Sequence, residues 1–364
     1  MNRERIGYID VAKGIGILLV AMGHTGLSLV APYLHKLIYS FHMPLFFFLS
    51  GYFFNPNPPF LTLLKRRFNS VLKPYFFTIF LIYLTSVSFS NMGFVTALGR
   101  IVKAMYGTGR YIDWVQLWFL PSLFVTSLFA FFFYRLVLAR IENRAFRWLV
   151  LLGLQAMAVY TLKTFYPFSF TLLGKEYELF GLPYSLDLVL LSGFFYILGD
   201  EIRQASLEKW LENGWFLAGT GAALLALTWF FPPRVDFNAR IFESFPLNTV
   251  ESILGILFVL ALSKYIELHT VRLSAALKYI GVASLFILIF HVPIQEYWGA
   301  KIYFVTKGQA ISIFLAFVIS ILISLGFYKV FVEQNPIAQF WYGRRSDLPP
   351  KEPDLNAKTA AKLQ

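Results

Sequence analysis

What most constrains this chain is the length of its apolar runs. Stretches of about twenty residues, enough for an α-helix to cross the hydrocarbon core of a bilayer, recur along its whole length. Ten are read: residues 7–30, 34–54, 68–90, 114–138, 146–166, 184–203, 214–232, 247–268, 276–298 and 309–333. Inside lipid every backbone N–H and C=O needs a partner within the protein, which leaves helices and closed barrels. Continuous apolarity, rather than alternation, selects helix. The expected fold class is therefore all-α, a polytopic bundle of about ten transmembrane helices. Charged residues make up 14% of the chain, against roughly 25% in soluble domains. None of the polar stretches between runs is long enough to bury a core of its own. Residues 1–342 thus read as one integral-membrane domain, and 343–364, polar and proline-rich, as a disordered cytoplasmic tail.

Orientation follows from the basic residues. With the N-terminus inside, 22 of the 32 lysines and arginines fall on the inner side and 10 on the outer. That bias predicts cytoplasmic N- and C-termini, and the net charge of +12 becomes a matter of topology. No nucleic-acid partner is expected, because no basic-aromatic module lies outside the membrane. The N-terminal run has the basic start of a signal peptide, but Asp10 and Lys13 interrupt it and further runs follow, so it reads as an uncleaved first helix. There is no cysteine, which excludes disulfides, thiolate metal sites and cysteine nucleophiles. No His/Asp/Glu set has metal-ligand spacing on one helix, and no site for a permanently bound cofactor is read.

Two runs carry ionisable groups that lipid disfavours. "IDVAKGIGILLVAMGH", residues 9–24, holds Asp10, Lys13 and His24; "SFHMPLFFFLSGYFF", residues 40–54, holds His42. Eleven residues of helix return almost to the same face, so Lys13 and His24 share a side about 16 Å apart. Asp10 lies one turn from Lys13 and can pair with it. Gly16 and Gly23 form a stripe that lets another helix approach. If the second run folds back antiparallel about a turn near Pro32, His24 and His42 sit at similar depth. Pro44 is awkward inside a helix, so 40–44 is expected to form an irregular turn or a helix start. Embedded ionisable groups are usually functional, although hydrogen bonding between helices is the plainer role. His291, in "SLFILIFHVPI", is either functional or interfacial. Trp118, in "LWFLPSLF", reads most simply as an interfacial aromatic. Lys65, Arg66, Arg67 and Lys73 fit a cytoplasmic loop and would also suit a polyphosphate ligand.

"YIDVAKGIGILLVAMGHT" followed by "YSFHMPLFFFLSGYFF" resembles the integral-membrane acyltransferase family 3 of bacterial sugar O-acetylases, in particular its fucose 4-O-acetylase-like branch. "KRRFNSVLKPYFF", "LWFLPSLF" and "SLFILIFHVPI" support the resemblance, which extends to about residue 335. Many members have arginine where this chain has Lys13; lysine keeps the charge and loses the bidentate fork.

The resemblance implies transfer of an acetyl group from acetyl-CoA to a sugar hydroxyl of a cell-envelope polysaccharide or its lipid-linked precursor, in a bacterial inner membrane. It implies His24, His42 and Lys13 as catalytic. Asp10, Lys65, Arg66, Arg67, Lys73, Trp118 and His291 would serve substrate binding. His24 would act as general base or be acetylated transiently, and His42 or a backbone N–H would stabilise the oxyanion. Partners would be acetyl-CoA, a carbohydrate acceptor, the lipid bilayer and other polysaccharide-assembly proteins. Some members carry an appended extracytoplasmic hydrolase-like domain. None follows the last run here, so the chain is expected to finish the transfer itself or hand over to a separate protein. A flippase for an amphipathic precursor and a structural scaffold are the competing readings.

Overall fold

The computed structural model describes residues 6–89 and 92–343. Helix α1 (Gly7–Gly23) and α2 (Pro32–Tyr52) form the expected antiparallel hairpin, joined through a 3-10 turn at Leu27–Leu29. Gly26 enters that turn at φ +79°, a conformation glycine adopts without strain. Helix α3 (Phe60–Arg67) runs through a π turn at Phe68–Leu72 into α4 (Lys73–Phe89). Then come α5 (Phe94–Met105), α6 (Phe119–Leu136), α7 (Arg144–Thr161), α8 (Val189–Gln204), the short α9 (Glu208–Leu211) and α10 (Gly214–Phe230). The chain continues with α11 (Leu247–His269), α12 (Val271–Val282), α13 (Ser284–Thr306), α14 (Gln309–Phe327) and α15 (Pro336–Tyr342). Two antiparallel β-hairpins occupy polar connections: β1 (Phe168–Leu172) with β2 (Lys175–Leu179), and β3 (Val235–Asp236) with β4 (Ile241–Phe242). The expected tail lies, from residue 344 on, outside the described residues.

Among the described residues, four segments are long and apolar enough to cross a membrane: Phe60–Ser88, Val115–Arg140, Leu247–His269 and Gln309–Val332. A fifth is added if α12 and α13, bent by 79° at their junction, make one broken span. The protein is thus a multi-pass helical membrane protein, and ten spans are not established. The run at 7–30 yields a helix that stops at Gly23, and the run at 276–298 is broken between α12 and α13. The lipid face is visible as exposed bulk: Phe80, Trp229, Phe230, Phe314 and Leu322 all point outward. On a water-soluble surface such bulk would mark an interface.

Inside, glycines set the closest crossings. A Cβ on Gly51 would overlap the Tyr196 carbonyl oxygen, and one on Gly199 would overlap that of Phe48, so α2 and α8 touch backbone to backbone. Gly14 and Gly281 do the same for α1 and α12, against the carbonyl oxygens of Leu277 and Asp10. Without a hydrophobic drive between helices in lipid, this van der Waals contact is what holds them.

The expected break at 40–44 does not occur, because α2 runs unbroken through Pro44. Proline removes the N–H that would bond the carbonyl four residues earlier, here that of Ser40. The Ser252 hydroxyl on α11 donates to that oxygen instead, at 2.6 Å. Helix α13 repeats the device. Pro293 orphans the carbonyl of Ile289, and the Gln116 side-chain amide donates to it at 2.8 Å.

Candidate active site

The two prolines sit two residues after His42 and His291, so the repaired helices carry the same His-x-Pro unit. In both, Nδ1 bonds the carbonyl one turn back: His42 to Ile38 at 3.0 Å, His291 to Ile287 at 2.9 Å. A carbonyl oxygen only accepts, so Nδ1 carries the hydrogen and the neutral ring keeps its lone pair on Nε2. Both side chains are buried, and His291 Nε2 has no partner.

His24 lies just past the end of α1 as its C-cap. Its ring stands beside that of His291, with centroids 5.3 Å apart. On α2, His35, Tyr39 and His42 form a ladder at spacings of four and three, with ring centroids 4.1 Å and 4.6 Å apart. Four of the chain's five histidines therefore gather in one region. His24, Tyr39, His42 and Trp118 line a cavity of about 70 Å³. Asp236, Phe237 and Asn238, from the β3–β4 hairpin, complete its wall. Burial pushes the Asp236 carboxyl above the ordinary carboxylate range, opposed by backbone hydrogen bonds from Ala239 and Asn238. The hairpin is pinned by an ion pair between Arg240 and Asp187, both almost fully buried, at 2.7 Å.

Trp118 is thus buried at the cavity, and His291 is buried inside the bundle. Sequence reasoning did not single out His35, Tyr39, Gln116, Asp236 or Asn238. The stripe His35–Tyr39–His42 was readable at helical spacing. Asp236 and Asn238 come from a polar loop with no local signal.

The other candidates lie at the far end of the hairpin. Lys13 pairs with Asp10 at 3.1 Å and faces the Phe53 ring at 5.7 Å. Phe53 stands eleven residues from His42, as Lys13 does from His24, so the two ends are about 16 Å apart. Arg67 donates to the Tyr196 hydroxyl, and Tyr196 is the residue on which Gly51 packs, so Arg67 belongs to the Lys13 end. Lys65, Arg66 and Arg67 form the last turn of α3, a helix rather than the expected loop. Lys65 and Arg66 are exposed. Lys73 is directed instead at the Phe340 ring on α15, 4.1 Å away.

The arrangement is a buried imidazole cavity at one depth and a cationic cluster about three helical turns away. Among the described residues no three His, Asp or Glu side chains are grouped to hold a metal ion. A family model described as an acyltransferase domain matches residues 6–329. No curated protein and no solved structure matches the chain.

Proposed function

Because the chain belongs to the integral-membrane acyltransferase family 3, we propose that it moves an acetyl group from acetyl-CoA to a hydroxyl of a cell-envelope carbohydrate. The observation that carries this reading is the convergence of His24, His42 and Trp118 on one cavity. CoA is made in the cytoplasm and presents a pyrophosphate and a 3′-phosphate. Lys65 and Arg66, exposed beside Arg67, suit these groups through charge-assisted hydrogen bonds. The pantetheine arm then runs past Lys13 toward His24.

At the cavity, His24 takes the proton of the acceptor hydroxyl as its oxygen attacks the thioester carbonyl. The C–S bond breaks, and the proton passes to the departing thiolate. His291 supports this role: its Nε2 offers a lone pair beside the His24 ring and can accept the His24 N–H, leaving the other nitrogen as base. His42 has already committed its ring hydrogen to Ile38, so as a neutral ring it cannot donate to an oxyanion. The reading therefore gives His42 an acceptor role, orienting the incoming hydroxyl.

Labelled acetyl-CoA, with the purified protein and a panel of envelope glycans, tests the proposal. Transfer of label to glycan is expected, and His24→Ala should lower it by about 10²–10⁴-fold while the protein still inserts. Movement of glycan across the bilayer without acetylation would favour a flippase. Near-normal transfer by His24→Ala would shift the base to His42.

A further inference from the structure

A second cavity, of about 390 Å³, lies beside the first and is used by nothing above. Four elements build it. Tyr83 comes from α4, Arg100 and Lys103 from α5, Arg110 and Tyr111 from the turn after α5, and Glu178 and Phe180 from the β1–β2 hairpin and its exit. Its volume is that of a small-ligand pocket. One of its charges is internally settled: Asp113 is held by Arg100 at 2.9 Å and by the Tyr83 hydroxyl at 3.1 Å. Lys103 makes no ion pair among the described residues. Arg110 makes none either and lies over the Phe180 ring at 4.5 Å. Against these two cations stands Glu178, so the wall is net positive and also carries aromatic faces.

The two cavities share a wall. The chain that lines the second at Asp113 reaches the first at Val115 and Trp118. Asn238 of the first packs on Gly109, next to Arg110. The second cavity also lies toward the bundle end away from the cationic cluster. Helix α6 begins six residues after Asp113 and runs to Arg135, which bonds the carbonyls of Pro56, Asn57 and Pro58 beyond the end of α2.

We propose that this cavity binds the acceptor carbohydrate and selects an anionic sugar, its carboxylate or phosphate held by Lys103 and Arg110 and its ring faces by Tyr111 and Phe180. Guanidinium and ammonium donors match such anions, while aromatic faces give apolar area to the pyranose ring. The proposal rests on the acyl-transfer reading for its purpose, but its test does not use that reaction.

Equilibrium binding to the full chain in lipid nanodiscs, without acyl donor, is measured for cellobiose, cellobiouronic acid and cellobiose 1-phosphate. Both anions should saturate about tenfold or more tighter than cellobiose and weaken as salt rises. The tighter of the two identifies the carboxylate or the phosphate as the native anion. Lys103→Glu with Arg110→Glu should abolish the preference, whereas Glu178→Gln, which removes the opposing charge, should tighten anion binding. Equal binding of cellobiose, or weaker anion binding by Glu178→Gln, would overturn the assignment. A failure of acyl transfer would appear only in the His24→Ala experiment and leave these binding results standing.

Discussion

Two missing N–H groups, at Pro44 and Pro293, explain the positions of Ser252 and Gln116. Each proline after a buried histidine strands a carbonyl inside the protein, and a neighbouring segment supplies the donor. Leaving a buried acceptor unpaired costs about 1–3 kcal/mol. Ser252→Ala should lower the thermal unfolding midpoint in detergent accordingly. Pro44→Ala restores the N–H, so it should recover part of that loss in the Ser252→Ala background. Strict additivity of the two substitutions would contradict the pairing. The same logic ties chemistry to fold: with both helices continuous through proline, His42 and His291 stay bonded through Nδ1, which leaves Nε2 to accept.

Between elements, glycine decides which helices can touch. Gly51 has no room for a Cβ against α8, whereas Gly153 on α7 has nothing within 4 Å. Gly51→Val should separate α2 from α8 and cost about 1–3 kcal/mol. Gly153→Ala should be neutral or stabilising by about 0.5–1 kcal/mol, since glycine is costly inside a helix. Unfolding midpoints of the two variants check the pair; a gain in both would mean that helix propensity, not contact, governs the crossing. Because α2 carries His42 and its crossing with α8 sits beside Arg67 and Lys13, the Gly51 change should also alter donor use.

For the molecule as a whole, the polar connections close the site that the helices begin. The β3–β4 hairpin is anchored beside the cavity by the Arg240–Asp187 pair, which is almost fully buried. Removing one member of a buried pair strands the other charge and costs about 3–5 kcal/mol. Arg240→Gln should therefore release the hairpin, seen as new proteolytic cleavage within 233–246 together with a lower unfolding midpoint. Orientation is a separate matter of charge. The excess of basic residues on one side predicts that reporters fused after Asn57 and at Gln364 both report cytoplasm, and opposite sides would defeat that topology.

The sequence alone determined the solvent, the helical class and the hairpin that brings His24 level with His42. These follow from run length, backbone hydrogen bonding in lipid and the fixed rise of a helix, all local properties. The Asp10–Lys13 pair was legible for the same reason. Tertiary structure alone decided that α2 would pass straight through Pro44, because the rescuing hydroxyl lies 212 residues away. It placed Trp118 and His291 in the core near His24, and it brought in Asp236 and Asn238 from a loop without periodicity. Such positions depend on which helix faces overlap, a choice made by glycine contacts and buried polar pairs between distant segments, which no local pattern records.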